Sequence, residues 1–227
     1  MKSKNRIMMF ALCLLALSTS LASAQNFPVG SKHFYNALDE SKPDNDGFIR
    51  TWLLLDPIHK PLNNPSFNDS FLRKEFATEY FPGQYDLPKA GDVVKLDKKT
   101  KLKWHALESK NFNVRVFRFA KEQDMAGYNV VFFGYTIIDC TMDLVNVRLA
   151  TGSNSASMWW IDGEEVLLMS GDRRMVMDDC ASPLMTLSKG QHILRVCVIN
   201  GPGLSDFCAR FIDEDFNPIK NFTIKTK

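Results

Sequence analysis

From Gly47 onward the chain alternates short apolar runs with turn residues, and helical periodicity is rare. The clearest unit is the pair of β-type runs 157–162 and 164–169, joined at Asp162-Gly163. Asp-Gly supplies the positive-φ backbone that a two-residue hairpin turn needs, so the pattern predicts a tight hairpin. Lys189-Gly190 leads into an alternating run over 192–200, and Gly201-Pro202-Gly203 leads into a further run over 206–213. Upstream, 47–55 (GFIRTWLLL) and 128–138 (YNVVFFGYTII) are nearly continuous apolar strands, and 144–150 follows the second. The stretch 112–119 (FNVRVFRF) alternates and reads as a strand, while 221–225 reads as a closing edge strand. One helix is expected over 69–80, with Asp69 as N-cap and Phe71, Phe76 and Tyr80 near helical spacing. Residues 89–103 are polar and turn-rich with a lysine-rich tip. Eight or nine strands and one helix predict an all-β fold, a β-sandwich or jelly roll with one helical insertion.

The N-terminus follows a different rule. Lys2, Lys4 and Arg6 precede an apolar run over 7–17, and Ala22-Ser23-Ala24 forms a small-residue cleavage site. This is the pattern of a secretory signal peptide cleaved after Ala24, and it predicts a secreted or periplasmic protein. Three segments are expected: a signal peptide over 1–24, an N-terminal extension over 25–44 and a β-sandwich over 45–227. No later run is long and apolar enough to span a bilayer.

Cleavage changes the charge balance. It removes three of the 28 Lys and Arg residues and none of the 26 Asp and Glu residues, leaving 25 against 26. A near-neutral mature chain without a basic patch disfavours a nucleic-acid partner. Cys140, Cys180, Cys197 and Cys208 remain, able to form up to two disulfides by three pairings or to sit as buried thiols on strands. Their spacing shows no CxxC pair and no accompanying histidine cluster, so a zinc site is not expected.

Catalytic motifs are hard to find. The Gly-x-Ser-x-Gly elbow of α/β-hydrolases is missing, and Gly171-Asp172 continues to Arg173 rather than to a serine nucleophile. Asp56-Pro57-Ile58-His59 has an Asp-x-x-His form, although a loop after the first strand accounts for it equally. Binding features are more visible. Trp159 and Trp160 are adjacent on one strand and must point to opposite faces. One belongs in the core; the other is either covered by a neighbouring segment or exposed as a stacking surface for a sugar ring. Arg173, Arg174 and Asp178 lie in the connection after the hairpin. They offer planar hydrogen bonds to vicinal hydroxyls, or a salt-bridge network that pins the loop. Asp178 and Asp179 are also the kind of oxygen ligand calcium takes, without an EF-hand spacing to support it; no other cofactor is expected. Asp206 ends the GPGLSD loop, which is expected at the same end of the sandwich as 153–157.

A resemblance adds to this reading. The succession FIRTWLLLDPI, EYFPGQYDLPKAGDVV with LKWHAL, GSNSASMWWIDGEEVLLMSGDRRMVMDDC and LSKGQHILRVCVINGPGLSDFCARFID covers about residues 45–225. It resembles the non-catalytic N-terminal β-sandwich of bacterial acetylxylan-esterase-type proteins. More loosely, it is similar to the galactose-binding-like domains attached to secreted glycan-degrading enzymes. The resemblance implies a carbohydrate-binding accessory module acting on xylan or another plant cell-wall polysaccharide or oligosaccharide. It also implies that the chemistry belongs to a separate carbohydrate esterase or glycosidase. Two alternatives stay open: an esterase or other carbohydrate hydrolase with an unrecognised site, and a structural module that docks a catalytic partner.

Overall fold

The structure, a computed structural model, describes residues 30–61, 67–201 and 203–227. The signal-peptide segment lies outside these residues. In chain order the elements are β1 (Phe34–Asn36), β2 (Glu40–Ser41), β3 (Thr51–Leu55), β4 (Ile58–His59), α1 (Asp69–Phe76), β5 (Val93–Lys95) and β6 (Lys101–Ser109). Then come α2 (Val116–Lys121), β7 (Val130–Cys140), β8 (Leu144–Ser153), β9 (Ala156–Ile161) and β10 (Glu164–Met169). The chain closes with β11 (Cys180–Ala181), β12 (Met185–Leu187), β13 (Gly190–Asn200), β14 (Phe207–Ile212) and β15 (Phe222–Lys225).

These strands build two antiparallel sheets, and the protein is an all-β sandwich. The large sheet runs β1-β6-β3-β7-β13-β9-β10, and β15 adds to β7 while also pairing with β2. The small sheet is centred on β8, with β14 along one side and β11 and β12 along the other. The hairpin at Asp162-Gly163 forms as the sequence predicts. Both residues have positive φ (51° and 88°), and Ile161 pairs directly with Glu164. Positive φ at both central positions is the geometry whose twist suits a two-residue hairpin.

Packing explains why so many strands lack polar alternation. The space between the sheets is filled by Trp52, Trp159, Phe207, Phe211 and Phe222 among others. Trp52, Trp159 and Phe207 meet edge to face, with ring centroids 5.1–6.1 Å apart. The outer face of the large sheet carries a second cluster with Trp104, Phe133, Tyr135, Trp160 and Cys197, roofed by Leu72, Phe76 and Phe81. Strands β3, β7 and β9 are therefore covered on both faces, which turns alternation into continuous apolar runs.

Several expectations are corrected. The alternating stretch 112–119 is not a strand. Val114 makes an isolated bridge to Phe207, and the chain then turns into α2, which buries Val116, Phe117, Phe119 and Ala120. The first helix is capped by Asn68 rather than Asp69: the Asn68 side chain accepts a hydrogen bond from Phe71 N at 2.9 Å. The polar stretch 89–103 contains β5 and the first residues of β6, where exposed Lys101 and partly exposed Lys103 flank buried Leu102 in an alternating strand. Residues 34–41, placed before the sandwich from sequence, contribute β1 and β2 to the large sheet. Among the described residues Cys140, Cys180, Cys197 and Cys208 are free thiols; burial pushes Cys140 up to about 11 and Cys208 up to about 12.

Candidate functional site

Four residues form a row across the outer face of the large sheet. Glu165 on β10 pairs with Trp160 on β9, Trp160 with Arg195 on β13, and Arg195 with Tyr135 on β7. Directly opposed residues share a face of a sheet, so this register alone places an arginine between two aromatic rings. The roof over the outer face is incomplete here. Residues Arg73, Phe76 and Ala77 of α1 and its C-terminal end approach from one side, and Tyr85 from the following turn leans over Arg195.

The roof is fastened locally. Tyr135 Oη donates to the Gln84 carbonyl at 2.6 Å, Gln84 Nε2 to the Thr78 carbonyl at 2.9 Å, and Tyr85 Oη to the Ala77 carbonyl at 3.1 Å. Burial pushes the Tyr135 phenol up to about 12, so it stays protonated and can hold this bond. The result is a stack in which the Arg195 guanidinium carbon lies 4.1 Å from the Trp160 ring centre and 5.0 Å from that of Tyr85. Tyr85 is 47% exposed, whereas Trp160 is only 7% exposed. Two open lobes flank this stack. One, of about 330 Å³, is bounded by Arg73, Trp160, Glu165 and Arg195; the other, of about 290 Å³, by Tyr85, Tyr135, Asp162 and Arg195.

Polar groups on the rim are pre-oriented. Arg73 meets Glu165 through Nη2 at 2.8 Å and through Nε at 3.2 Å to both carboxylate oxygens. Asp162 accepts from Ile193 N at 2.7 Å and lies 2.6 Å from His192 Nδ1. His192 Nε2 faces the Ser188 carbonyl at 2.8 Å. Both ring nitrogens thus face acceptors and both must donate, which favours the imidazolium. Burial lowers the His192 pKa, but the bonds to Asp162 and Ser188 outweigh it and the net shift is upward. Ser188 Oγ lies 3.5 Å from Nε2, yet an imidazolium already donating to a carbonyl cannot take a proton from that serine. This Ser-His-Asp juxtaposition is a clamp between two turns rather than a catalytic triad.

The residues singled out from sequence fall in three places. Trp159 and Trp160 do face opposite sides of the strand, but Trp159 is fully sealed between the sheets and offers no stacking surface. Trp160 is covered by a neighbouring segment, with Phe76 edge-on at 6.3 Å, and contributes to the cleft from beneath Arg195. Arg173, Arg174 and Asp178 lie on the far side of the molecule's layering, in the loop that follows β10 and crosses β8. There Arg173 pairs with Asp179 at 2.5 Å, and Asp178 holds Arg210 of β14 in a bidentate contact. The loop backbone presses so closely on β8 that a Cβ at Gly152 would stand 1.9 Å from the Val176 carbonyl oxygen. This is the pinning network, and Arg174 alone of the three points outward as exposed surface. The two carboxylates considered for calcium each face an arginine instead; among the described residues no group of three or more His, Cys, Asp or Glu is arranged to hold a metal.

Asp206 occupies the end of the sandwich together with 153–155, as the loop order suggests: Asn154 N donates to its carbonyl at 3.0 Å. It is 9% exposed, and Asn113 Nδ2 donates to its carboxylate at 3.2 Å. Burial pushes the carboxyl up to about 6, against the opposing pull of Arg115 and Arg118. Around it Asn113 Oδ1, Asn154 Oδ1 and Ser205 Oγ are buried without a hydrogen-bond partner among the described residues, at a cost to stability. Asp56 does not work with His59; its carboxylate accepts from Lys103 N at 2.8 Å and pairs with the partly buried His105 at 2.9 Å. Sequence reasoning missed Tyr85, Arg195, Arg73 and Glu165. Arg195 carried a readable signal, being one charge inside the otherwise apolar centre of ILRVCVI; Tyr85 carried none.

No protein-family model matches the chain, and no curated protein matches it. Solved structures give low-level likeness. The PA14 domain of the MpAFP antifreeze protein is 11% identical over 82% of this chain and 93% of its own, with a TM-score of 0.42. A β-glucosidase from Kluyveromyces marxianus in complex with glucose is 15% identical over 71% of this chain, with a TM-score of 0.37. The chain spans only 16% of that β-glucosidase. A GH31 α-xylosidase from Xanthomonas citri is 8% identical over 82% of this chain and 19% of its own, with a TM-score of 0.30. None of these is an acetylxylan esterase. At TM-scores this low the likenesses assign no function, and the cleft itself has to do so.

Proposed function

We propose that this chain is a non-catalytic carbohydrate-binding β-sandwich, exported by its N-terminal segment, that serves the breakdown of plant cell-wall polysaccharide such as xylan alongside a separate esterase or glycosidase. The observation that carries this reading is the Tyr85–Arg195–Trp160 stack at an open cleft. A half-exposed tyrosine beside a fixed guanidinium, with Glu165 and Asp162 on the rim, supplies the two things a pyranose needs. Its apolar face packs on an aromatic ring, and its hydroxyls meet planar donors and acceptors. The cleft is shallow, which suits weak binding along a chain rather than enclosure of a reacting bond.

The test is calorimetric titration of the purified protein with xylan, acetylated xylan, pectin and mannan fragments, with free acetate assayed in the same cell. Binding without acetate release, abolished in Tyr85→Ala at unchanged thermal stability, is the expected result. Acetate release would replace the binding module with an esterase. Silence on both would shift the assignment to partner docking.

A further inference from the structure

We infer that the cleft selects acidic sugars: an anionic group on the sugar ring, a carboxylate or a sulfate ester, pairs with Arg195. This rests on the glycan-binding reading of the cleft and narrows it to a ligand class. Each carboxylate on the rim already has a cation: Glu165 has Arg73 at 2.8 Å, and Asp162 has His192 at 2.6 Å. Arg195 stands between the two lobes, and among the described residues no carboxylate lies within ion-pair distance of it, 4.0 Å. Arg73 is shared further with Asp69 at 3.9 Å, so Arg195 is the cation of the cleft that no carboxylate within ion-pair distance neutralises.

That charge is also immobilised. Trp160 and Tyr85 sandwich the guanidinium, so its plane is set before any ligand arrives. A planar fork with several donors matches the planar oxygens of a carboxylate, and a pre-oriented guanidinium gives up little side-chain freedom on binding. A neutral sugar would use Tyr85 and the rim but would leave this donor set without an anion. A uronate-bearing ring placed on Tyr85 satisfies both at once. The flanking lobes, of about 330 and 290 Å³, give the chain room to continue on either side of the stack.

The experiment compares three probes of equal length on the purified protein: an oligogalacturonate, the same oligosaccharide with its carboxyls reduced to hydroxymethyl groups, and that neutral chain carrying sulfate esters. A hydrogen bond to a charged partner is worth roughly 1.5–3 kcal/mol, so the acidic probe is expected to bind about tenfold tighter than the neutral one, or more. The margin should shrink as salt is raised from 20 to 300 mM, and Arg195→Met should erase it. Salt dependence on the wild-type protein serves as an independent reading if Arg195→Met does not fold. Tight sulfated but weak uronate binding would keep the anion site and name sulfate as its source. Equal binding of all three would overturn the inference and leave the glycan reading standing. No binding by any of these probes would remove the inference, and silence on the xylan and mannan fragments as well would remove the glycan reading with it.

Discussion

Two adjacent tryptophans show how differently the two faces of one sheet are used. Trp159 enters the space between the sheets, meets Trp52 and Phe207 edge to face and is fully buried. Trp160 enters the outer face, where the roof is one short helix and a turn, and an arginine rather than another apolar side chain lies on its ring. The inner face is closed by a second sheet along its length. The outer face is closed by pieces, and where the pieces stop, polar side chains reach an aromatic floor. A face sealed by a sheet gives stability; a face covered in patches leaves a place for a ligand.

The largest expected effect separates these faces directly. Trp159→Ala opens a cavity in a packed core and should cost about 3–5 kcal/mol in urea unfolding. Trp160→Ala should cost less and should weaken glycan binding, because its ring supports Arg195. Equal destabilisation by both would erase the distinction.

Next comes Asp206, at the end of the inner layer. Its folded-state pKa of about 6 lies above the ordinary aspartate value of 3.8, so the native state binds the proton more tightly than the unfolded chain. The stability this contributes is fully present below about pH 3.8 and is lost as pH rises through 6. Two pKa units correspond to roughly 3 kcal/mol at most. Asp206→Asn should therefore flatten the stability profile between pH 4 and 7, as measured by denaturant midpoints. A profile unchanged by the substitution would show that the carboxyl is not desolvated.

Gly152→Ala probes the loop pinned on the small sheet. A methyl 1.9 Å from the Val176 carbonyl cannot be accommodated without moving backbone, so a loss of about 1–3 kcal/mol is expected. Faster proteolysis within 170–180 should accompany it, while glycan binding on the opposite face is retained. Loss of binding in this variant would couple two regions that the fold separates.

The smallest effect concerns the clamp beside the cleft. The His192 pKa is raised, so the stability from its bond to Asp162 is fully present below the ordinary value of 6.5 and is lost as pH rises through the higher folded value. Asp162 is about half exposed, and solvent screening keeps the contribution under about 1 kcal/mol. His192→Gln should remove that slope, visible as a thermal midpoint that no longer falls between pH 6 and 8.

Much of the fold was legible in the sequence because a strand's pattern records which faces are buried. The Asp162-Gly163 hairpin, the opposite orientations of Trp159 and Trp160 and the strands around 130–140 and 190–200 all followed from local pattern and turn chemistry. The stretch 112–119 misled because FNVRVFRF alternates, yet the space available beside Phe207 admitted a helix that buries Val116, Phe119 and Ala120. The cleft was less legible. Trp160 and Arg195 are thirty-five positions apart and meet only through the β9–β13 register, and Tyr85 sits in a turn whose place over that register depends on the Tyr135–Gln84 bond. Arg173 and Asp178 drew notice as a charged loop, but their partners, Asp179 and Arg210, turn that charge inward as a fastening.

The most direct test is to follow the four tryptophan indole N–H signals of ¹⁵N-labelled protein during titration with an oligogalacturonate. Trp160 is expected to shift progressively while Trp52, Trp104 and Trp159 stay in place. Binding that leaves the Trp160 signal fixed, or that moves Trp159 instead, would contradict the placement of the site on the outer face.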